Sequence, residues 1–291
     1  MSSIADKKIL VTGSNGQLGR SLRRIFERHN YNGAVFTDVD ELDITDSEKV
    51  EYYIKNNGFT HIVNCAAYTQ VDKAEAEAIE AAKINTQSIG FLAQTAAKHQ
   101  LKVLHISTDY VFSGESCRPY AENDEPYPQT IYGRTKLEGE GILMAHSPDA
   151  IIVRTSWLYS ETGNNFVRKM IDLASTHNEL SVVSDQIGTP TYADDLSEAI
   201  YRILDADTWN AGIYHYSNEG VASWYDFAKA IFRLSNINIK VNPIQTKDYP
   251  TPAKRPLYSV LNKAKIKKTY SLNIPHWEES LAKCIAFGSL L

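Results

Sequence analysis

Short apolar runs alternate with longer segments of helical periodicity over the first half of the chain. The runs predict buried strands and lie near residues 8–12, 34–37, 61–65, 102–107 and 150–155. The helical segments between them lie near residues 17–29, 47–57, 82–99 and 131–145. Strands that alternate with helices favour right-handed crossovers, so the pattern predicts a parallel sheet covered on both faces.

The alternation is looser after residue 155. Helical patterns recur near residues 165–177, 192–206 and 223–235, with short strands between them. The proline-rich segment 249–256, YPTPAKRP, is typical of an extended loop. The whole pattern predicts an α/β fold, in which a Rossmann-like doubly wound parallel sheet carries a smaller, partly interleaved C-terminal α/β domain.

Composition and charge exclude several classes of protein. The chain has 291 residues, of which 43% are apolar and 22% charged, as in an ordinary globular protein. A net charge of −5 without a basic run disfavours nucleic-acid binding. The N-terminal MSSIADKK lacks an apolar signal core, and no stretch approaches the ~18 apolar residues of a membrane helix. Three separated cysteines predict neither a zinc site nor a disulfide framework, which favours a cytoplasmic location.

A glycine-rich turn follows the first predicted strand and precedes a predicted helix. Its glycines are Gly13, Gly16 and Gly19, a spacing that lets the backbone approach a pyrophosphate at a helix N-terminus. Asp38 closes the next strand about 20 residues later, where a carboxylate accepts hydrogen bonds from the adenosine ribose. The segment therefore predicts binding of NADH or NADPH, with NADH favoured because a carboxylate repels a 2′-phosphate. Arg20 is the competing signal, since its guanidinium is a candidate partner for that phosphate.

A second set of reactive side chains predicts reduction of a ketone. Thr108 and Asp109 end the fourth strand, whose carboxyl end should face the nicotinamide. Tyr132 and Lys136 are four residues apart and share one face of a predicted helix. Tyr132 is the candidate general acid, and Thr108 the candidate hydrogen-bond donor to the carbonyl oxygen. An ammonium ~4 Å away stabilises a phenolate by roughly 4 kcal/mol at a dielectric of ~20, so Lys136 is expected to lower the pKa of Tyr132.

These motifs, in this order, resemble those of the extended short-chain dehydrogenase/reductases. Within that superfamily the sequence is most similar to the dTDP-4-dehydrorhamnose reductases. The stretches that carry this resemblance are GSNGQLGR, NCAAYTQVDKAE, STDYVFSG, YGRTKLEGE, RTSWLY, GNNFVRKM and DQIGTPT, between about Lys8 and Trp277. The resemblance implies that NADH or NADPH reduces the 4-keto group of dTDP-4-dehydro-β-L-rhamnose to give dTDP-β-L-rhamnose, a step of dTDP-rhamnose biosynthesis.

The resemblance also implies a set of site residues. The catalytic residues are Thr108, Tyr132 and Lys136. The cofactor-binding residues are Gly13, Gly16, Gln17, Leu18, Gly19, Asp38, Asp43, Ile44, Ala67, Tyr68, Thr69, Asn85, Tyr132 and Lys136. The substrate-binding residues are Thr108, Asp109, Tyr132 and Trp157. Arg255 is added to this set because a dianionic substrate needs a cation and Arg255 lies in the proline-rich loop.

Several of these assignments have alternatives. Trp157 is either an indole stacked on a sugar face or a core aromatic, and Asn85 is either the superfamily's helix asparagine or a residue that bridges backbone. Further candidates for the substrate diphosphate and base are Asn164, Asn165, Arg168 and Lys254, each of which is equally interpretable as a surface residue. Tyr68 stands where family members commonly have histidine. Some members bind Mg²⁺, but no carboxylate cluster in this sequence predicts a metal site.

The expected domains follow from the motifs. A dinucleotide-binding domain is predicted over residues 1–155, with a contribution from about 180–215. A sugar-nucleotide domain is predicted over residues 156–180 and 216–291. The expected partner is a dTDP-linked 4-keto sugar, and a homodimer is the expected assembly.

Two rival functions stay open at this level. A sugar-nucleotide 4-epimerase or 4,6-dehydratase has the same fold, although a dehydratase needs a second carboxylate where this chain has Tyr110. A non-catalytic regulatory subunit, like the β subunit of methionine adenosyltransferase, is the other rival.

Overall fold

The computed structural model describes residues 4–288, and its regular elements follow the predicted order. The strands are β1 (Ile9–Thr12), β2 (Ala34–Thr37), β3 (His61–Asn64), β4 (Lys102–Thr108), β5 (Ile151–Thr155), β6 (Leu158–Tyr159), β7 (Glu179–Val183), β8 (Ile187–Gly188), β9 (Thr191–Tyr192), β10 (Gly212–His215), β11 (Ala222–Ser223) and β12 (Lys240–Ile244). The α-helices are α1 (Gln17–Arg28), α2 (Ser47–Asn57), α3 (Val71–Ala74), α4 (Ala78–Ala82), α5 (Ser88–His99), α6 (Ile131–His146), α7 (Phe166–Ala174), α8 (Ala193–Asp205), α9 (Trp224–Leu234), α10 (Ala264–Tyr270) and α11 (Trp277–Gly288).

Six parallel strands form the central sheet, in the order β10-β5-β4-β3-β1-β2. The chain runs from β1 outward to β2 and then returns to place β3 on the other side of β1. This reversal is the topological switch point of a doubly wound sheet, where ligands bind beyond the carboxyl ends of the strands. The sheet therefore fixes where a site should lie before any side chain is considered.

Alternate residues of the strands pack on opposite faces of the sheet. Ile9 and Val11 contact one apolar cluster, which includes Leu22 of α1 and Ile200 of α8. Leu10 contacts the other cluster, with the apolar faces of α2, α5 and α6. Full burial of such a side chain contributes roughly 1.5–3 kcal/mol to the stability of the fold. Because successive side chains point to opposite faces, each face of the sheet presents apolar residues that a layer of helices must cover.

One predicted helix contains an irregular turn. The segment predicted over residues 82–99 is α4 and α5 joined by a π-helical turn, Lys83–Gln87. A π turn inserts one extra residue and is common at functional sites. Here it directs Asn85 into the protein interior, as described below.

The later part of the chain is built around its own apolar cluster. This cluster includes Tyr159, Phe227 and Trp277 and is covered by α7, α9 and α11. β10 belongs to the later part of the chain but lies in the central sheet, as its edge strand beside β5. The predicted α/β fold with an interleaved second layer is confirmed, whereas the residue boundaries of the two domains stay a prediction. Among residues 4–288, no helix combines the length and apolar character needed to span a bilayer.

Candidate active site

A cavity of about 720 Å³ lies at the carboxyl ends of β1, β3, β4 and β5. The early part of the chain forms its floor. Trp157, Asn164, Trp224 and Arg255 form its opposite wall. The cavity is thus both at the switch point of the sheet and at the contact between the two parts of the molecule, the two most common positions for a ligand site.

The glycine-rich turn forms one end of this cavity. Gly13 has a φ of +66°, and a Cβ there would lie 2.6 Å from the Ala66 nitrogen. A Cβ on Gly19 would lie 2.6 Å from the Gly13 carbonyl oxygen. Both positions therefore require glycine, because α1 begins against the preceding turn with no room for a side chain. The predicted residues Gly13, Gly16, Gln17, Leu18 and Gly19 all line the cavity.

Acidic residues lie next to the glycine turn. Asp38 accepts hydrogen bonds from the N–H groups of Asn15 (2.8 Å) and Val39 (2.9 Å). Asp43 accepts from the N–H and hydroxyl of Thr45, and these bonds lower the pKa of its carboxyl group. Both carboxylates line the cavity, as does Ile44. Arg20, the competing signal for a phosphate, is exposed and is not part of the cavity wall.

Two predicted cofactor-binding residues, one in the loop after β3 and one in the π turn, are not part of the cavity wall. Ala67 and Thr69 line the cavity, but Tyr68 and Asn85 do not. The Asn85 side chain accepts from the Tyr68 N–H (2.9 Å) and donates to the Tyr68 carbonyl oxygen (3.0 Å). The Tyr68 hydroxyl turns away to Glu77 at 2.5 Å. Asn85 therefore bridges backbone, the alternative interpretation of its sequence position, and holds the loop in place from behind.

Thr108, Asp109 and Tyr132 meet in the middle of the cavity. The Thr108 side chain is close enough to Tyr132 to influence its pKa, and the Thr108 hydroxyl donates to Asp109 at 3.1 Å. The Thr130 side chain caps α6 by accepting from the Gly133 N–H at 3.0 Å, which fixes where the helix that carries Tyr132 begins. Desolvation raises the pKa of Tyr132 above its ordinary value.

Lys136 is almost completely buried, with 1% of its surface exposed. Its Nζ donates to the Ile106 carbonyl oxygen at 2.7 Å and lies 3.1 Å from His105 Nε2. Burial lowers the pKa of Lys136 to about 8. The lowering of the Tyr132 pKa by Lys136 stays a prediction, because in this structure the desolvation of Tyr132 dominates and raises its pKa.

Asp109 is the most strongly perturbed carboxyl group of the cavity. It is 2% exposed, and burial raises its pKa to about 6. The hydrogen bond from the Thr108 hydroxyl and the nearby Ser259 side chain oppose this effect only in part. Asp109 therefore changes charge close to neutral pH, directly beside Thr108.

Trp157 is stacked, and its partner is a second tryptophan. The Trp157 and Trp224 rings are 3.5 Å apart at their centroids and 7° from parallel. Trp157 has a φ of +45°, a left-handed conformation that costs a bulky residue roughly 1–3 kcal/mol. Gly188 lies against the indole, where a Cβ would come within 2.6 Å of the ring. The surrounding structure therefore holds Trp157 in one orientation at the cavity wall.

Arg255 also lines the cavity, and it is already paired. Its guanidinium donates to the Tyr110 hydroxyl at 2.9 Å and forms an ion pair with Asp72. The ion pair joins the proline-rich loop to α3. Tyr110 packs edge-on against Tyr132, with ring centroids 5.5 Å apart. The residue that follows Asp109 is thus part of the wall that supports the candidate proton donor.

The other substrate candidates are divided between the cavity and the surface. Asn164 lines the main cavity and a smaller adjoining groove that also contains Arg168. Asn165 caps α7 and donates to Gln17 at 2.9 Å. Lys254 is exposed and lies 3.5 Å from Glu115. Among residues 4–288, no three His, Cys, Asp or Glu side chains are grouped so that they could hold a metal ion.

Sequence reasoning missed several residues of the cavity. These are Val39, Leu42, Thr45, Cys65, Ala66, Val71, Glu80, Lys83, Ile84, Ile106, Ser107, Tyr110, Thr155, Ser156, Leu158 and Trp224. Most are apolar or small residues next to a predicted one, and carry no separate chemical signal. Trp224 follows the helix-capping Ser223 and has the pattern of a core aromatic, so only its stacking on Trp157 reveals it.

A parallel sheet with this glycine turn and with threonine, tyrosine and lysine at its carboxyl edge defines a dinucleotide-dependent oxidoreductase of the short-chain dehydrogenase/reductase class. Residues 7–289 match the family model described as the RmlD substrate binding domain. The chain belongs to the dTDP-4-dehydrorhamnose reductase family.

Two relatives show how far the similarity extends. A dTDP-4-dehydrorhamnose reductase of Aggregatibacter actinomycetemcomitans is 41% identical over 97% of this chain and 99% of its own length. The spore coat polysaccharide biosynthesis protein SpsK of Bacillus subtilis is 40% identical over 94% of this chain and 95% of its own. The similarity thus covers both parts of the molecule.

Solved structures agree with this assignment. A dTDP-4-dehydrorhamnose reductase from Clostridium acetobutylicum superposes with a TM-score of 0.91 at 44% identity, over 96% of this chain and 98% of that one. One from Bacillus anthracis, in complex with NADP, gives 0.91 at 38% identity over 97% and 99%. A UDP-glucose 4-epimerase from Thermus thermophilus, 16% identical with a TM-score of 0.82 over 97% and 98%, shares the fold alone.

Proposed function

We propose that this enzyme reduces the 4-keto group of dTDP-4-dehydro-β-L-rhamnose with NADH or NADPH and releases dTDP-β-L-rhamnose. The observation that carries the proposal is the meeting of Thr108, Tyr132 and Lys136 in one cavity with the glycine turn. Relatives named for this activity align over nearly the whole chain, which supports the same substrate here.

The cavity residues divide the chemistry between them. The glycine turn and Asp38 would hold a reduced nicotinamide dinucleotide, which would supply the hydride for the carbonyl carbon. Thr108 donates a hydrogen bond to the carbonyl oxygen, and Tyr132 gives that oxygen the proton that completes the alcohol. The raised pKa of Tyr132 keeps the proton in place at neutral pH, so the developing alkoxide, rather than bulk water, receives it. Asp109 and the indole of Trp157 orient the sugar ring.

The diphosphate end of the substrate is assigned to Arg255. Its guanidinium is stiffened by the proline-rich loop and by its bonds to Tyr110 and Asp72. A guanidinium bound on both sides loses little conformational entropy when it takes up a phosphate oxygen. Arg255 therefore fixes the distance between the diphosphate and the sugar at Tyr132.

We further propose that NADH is preferred to NADPH. The Asp38 carboxylate is held in the cavity wall by two backbone N–H groups, close to the end of β2. A second negative group, the 2′-phosphate, would be repelled at this position, and Arg20 is not in the wall to neutralise it. Asp38→Ala should therefore narrow the ratio of the two kcat/KM values, while an unchanged ratio would contradict the proposed role of Asp38.

The reaction is tested by following the absorbance of the reduced nicotinamide with the 3,5-epimerised dTDP-4-dehydrorhamnose and each cofactor in turn. We expect loss of the signal with at least one cofactor. Tyr132→Phe should lower kcat by ~10²-fold or more while the Kd of the cofactor changes little. Tyr127→Phe is the matched control, since Tyr127 is an exposed tyrosine just before the same helix.

The possible outcomes separate the rival functions. A folded chain that binds dinucleotide but leaves the signal unchanged would point to another keto-sugar or to the non-catalytic role. Cofactor that stays bound through purification would point to an epimerase, because a reductase must exchange its cofactor at each turnover. Most activity remaining in Tyr132→Phe would contradict the role of Tyr132.

We also propose a cellular location and an oligomeric state for the enzyme. The widely separated cysteines favour the cytoplasm, and a homodimer is the expected assembly. Mg²⁺ is known only from the family resemblance. Light scattering with and without Mg²⁺ measures both assembly and metal dependence.

A further inference from the structure

A row of buried polar side chains crosses the sheet below the cavity. Thr12, Asn64 and His105 are direct partners in the registers of β1, β3 and β4. In-register residues of parallel strands face the same side of the sheet, here the side covered by α6. The three side chains are 1%, 1% and 0% exposed, so their hydrogen bonds are made without water contact at the surface.

The hydrogen bonds of this row have a defined direction. The Asn64 side-chain oxygen accepts from the Ala66 N–H (3.2 Å) and from the Thr12 hydroxyl (2.5 Å). A backbone N–H cannot accept, so the amide nitrogen of Asn64 must be the atom that faces His105 Nδ1 at 2.9 Å. His105 Nδ1 therefore accepts this bond, and the ring proton must be on Nε2.

The same assignment of hydrogen-bond donors and acceptors extends to Lys136. Protonated Nε2 points at Lys136 Nζ, 3.1 Å away, and a donor requires a lone pair on its partner. An ammonium has none, whereas a neutral amine accepts from His105 and still donates to the Ile106 carbonyl oxygen. A neutral imidazole and a neutral amine are thus the pair of states that satisfies every atom of the row.

We propose that His105 is a positioning residue for Lys136, in that the Nε2–H group of His105 holds the lysine as a neutral amine against β4. Protonation of Lys136 then breaks this contact and releases the ammonium toward the cavity. The catalytic consequence rests on the function proposed above and on the expectation that Lys136 acts beside Tyr132 as an ammonium. His105 then determines the pH above which the enzyme rests with Lys136 withdrawn.

Other groups near Lys136 do not replace His105 in this role. Glu140, one turn later on α6, favours the ammonium, but its carboxylate already accepts two-pronged bonds from Arg154 at 2.6–3.2 Å. Burial raises the pKa of the Cys65 thiol to about 12, so Cys65 is neutral. Burial keeps the pKa of His105 well below its ordinary value, so the imidazole stays neutral, and lowers that of Lys136 to about 8, so the neutral pair forms above about pH 8.

The pH profile of kcat/KM provides one test. His105→Asn keeps an acceptor for Asn64 but is too short to reach Lys136. Loss of a donor to the neutral amine favours the ammonium, so the alkaline limb should move up by about 0.5–1 pH unit. His61→Asn is the matched control, since His61 is a buried histidine at the opposite end of β3 and its loss should leave the limb in place.

A second test needs no turnover. In ¹⁵N-labelled wild-type enzyme, the His105 ring signal is identified by its absence from the spectrum of His105→Asn. Its chemical shifts should be those of a ring with the proton on Nε2, and they should change as Lys136 titrates. A proton on Nδ1, or an alkaline limb that does not move in folded His105→Asn, would overturn the proposal. If the keto-sugar is not reduced at all, the function proposed above fails, while the ¹⁵N spectrum still decides the contact between His105 and Lys136.

Discussion

A single buried carboxyl group, Asp109, links the chemistry of the site to the stability of the protein. Its pKa is about 6 in the folded chain, compared with 3.8 for an ordinary aspartate, because burial penalises its charge. A raised folded-state pKa means that the group favours folding below pH ~4 and that this contribution is lost as the pH rises through about 6. The shift corresponds to at most about 3 kcal/mol.

The prediction for Asp109→Asn follows from that sign. The amide cannot ionise, so the free energy of unfolding of the variant relative to the wild type should increase by up to about 3 kcal/mol between pH 4 and pH 7. Urea unfolding at several pH values measures this difference. Asp124→Asn is the control of opposite sign, because Arg118 lowers the pKa of Asp124 and the wild-type contribution is lost at low pH instead. A pH-independent difference for Asp109→Asn would contradict the perturbed pKa.

At the scale of elements, the π turn between α4 and α5 positions the loop after β3. The turn places Asn85 where it bonds both backbone groups of Tyr68, and where Gly139 of α6 lets the two segments approach closely. A Cβ on Gly139 would lie 2.2 Å from the Asn85 carbonyl oxygen. Two elements therefore hold the part of the cavity wall that contains Ala67 and Thr69.

Asn85→Ala should loosen this wall. It leaves the buried N–H and carbonyl of Tyr68 without partners, which costs about 1–3 kcal/mol. We expect a lower free energy of unfolding, faster amide exchange at Ala67–Thr69, and weaker cofactor binding with a smaller change in kcat. Gln87→Ala, at an exposed position of the same turn, is the control and should change none of these. Unchanged exchange in Asn85→Ala would show that the loop is held by other contacts.

At the scale of the whole molecule, the cavity joins the two parts of the chain. Gln17 of the glycine turn accepts hydrogen bonds from Asn165 (2.9 Å) and Ser160 (3.2 Å) of the later part. Trp157, Trp224 and Arg255 of the later part complete the cavity wall. A dinucleotide bound along the glycine turn would therefore stabilise both parts together.

This arrangement predicts that both parts of the chain unfold in one cooperative transition, which bound dinucleotide shifts for both parts together. Trp157, Trp224 and Trp277 pack in or against the apolar cluster of the later part, so tryptophan fluorescence reports mainly on that part. Oxidised dinucleotide at ~100 times its Kd should raise the unfolding free energy by ~2.7 kcal/mol, by fluorescence and by circular dichroism alike. A shift in circular dichroism without one in fluorescence would show that the two predicted domains unfold independently.

Much of this protein follows from its sequence by itself. The alternation of strands and helices, the glycine turn at Gly13–Gly19 and the shared face of Tyr132 and Lys136 were all predictable. Each depends on residues that are close in the chain, where periodicity of 2 or 3.6 and glycine spacing act locally. The topological rules for parallel sheets then bring the carboxyl ends of distant strands together, which is why most predicted site residues meet in one cavity.

Only the tertiary structure decided what these side chains contact. The partners of Lys136 on β4, of Asn85 in the β3 loop and of Trp157 on α9 are 17 or more residues away in the chain. Spacing on one helix puts Lys136 beside Tyr132, but desolvation and a histidine from a neighbouring strand determine its hydrogen bonds and pKa. The reason is physical: periodicity selects an element and its buried face, whereas desolvation and hydrogen-bond direction depend on every segment packed around a group.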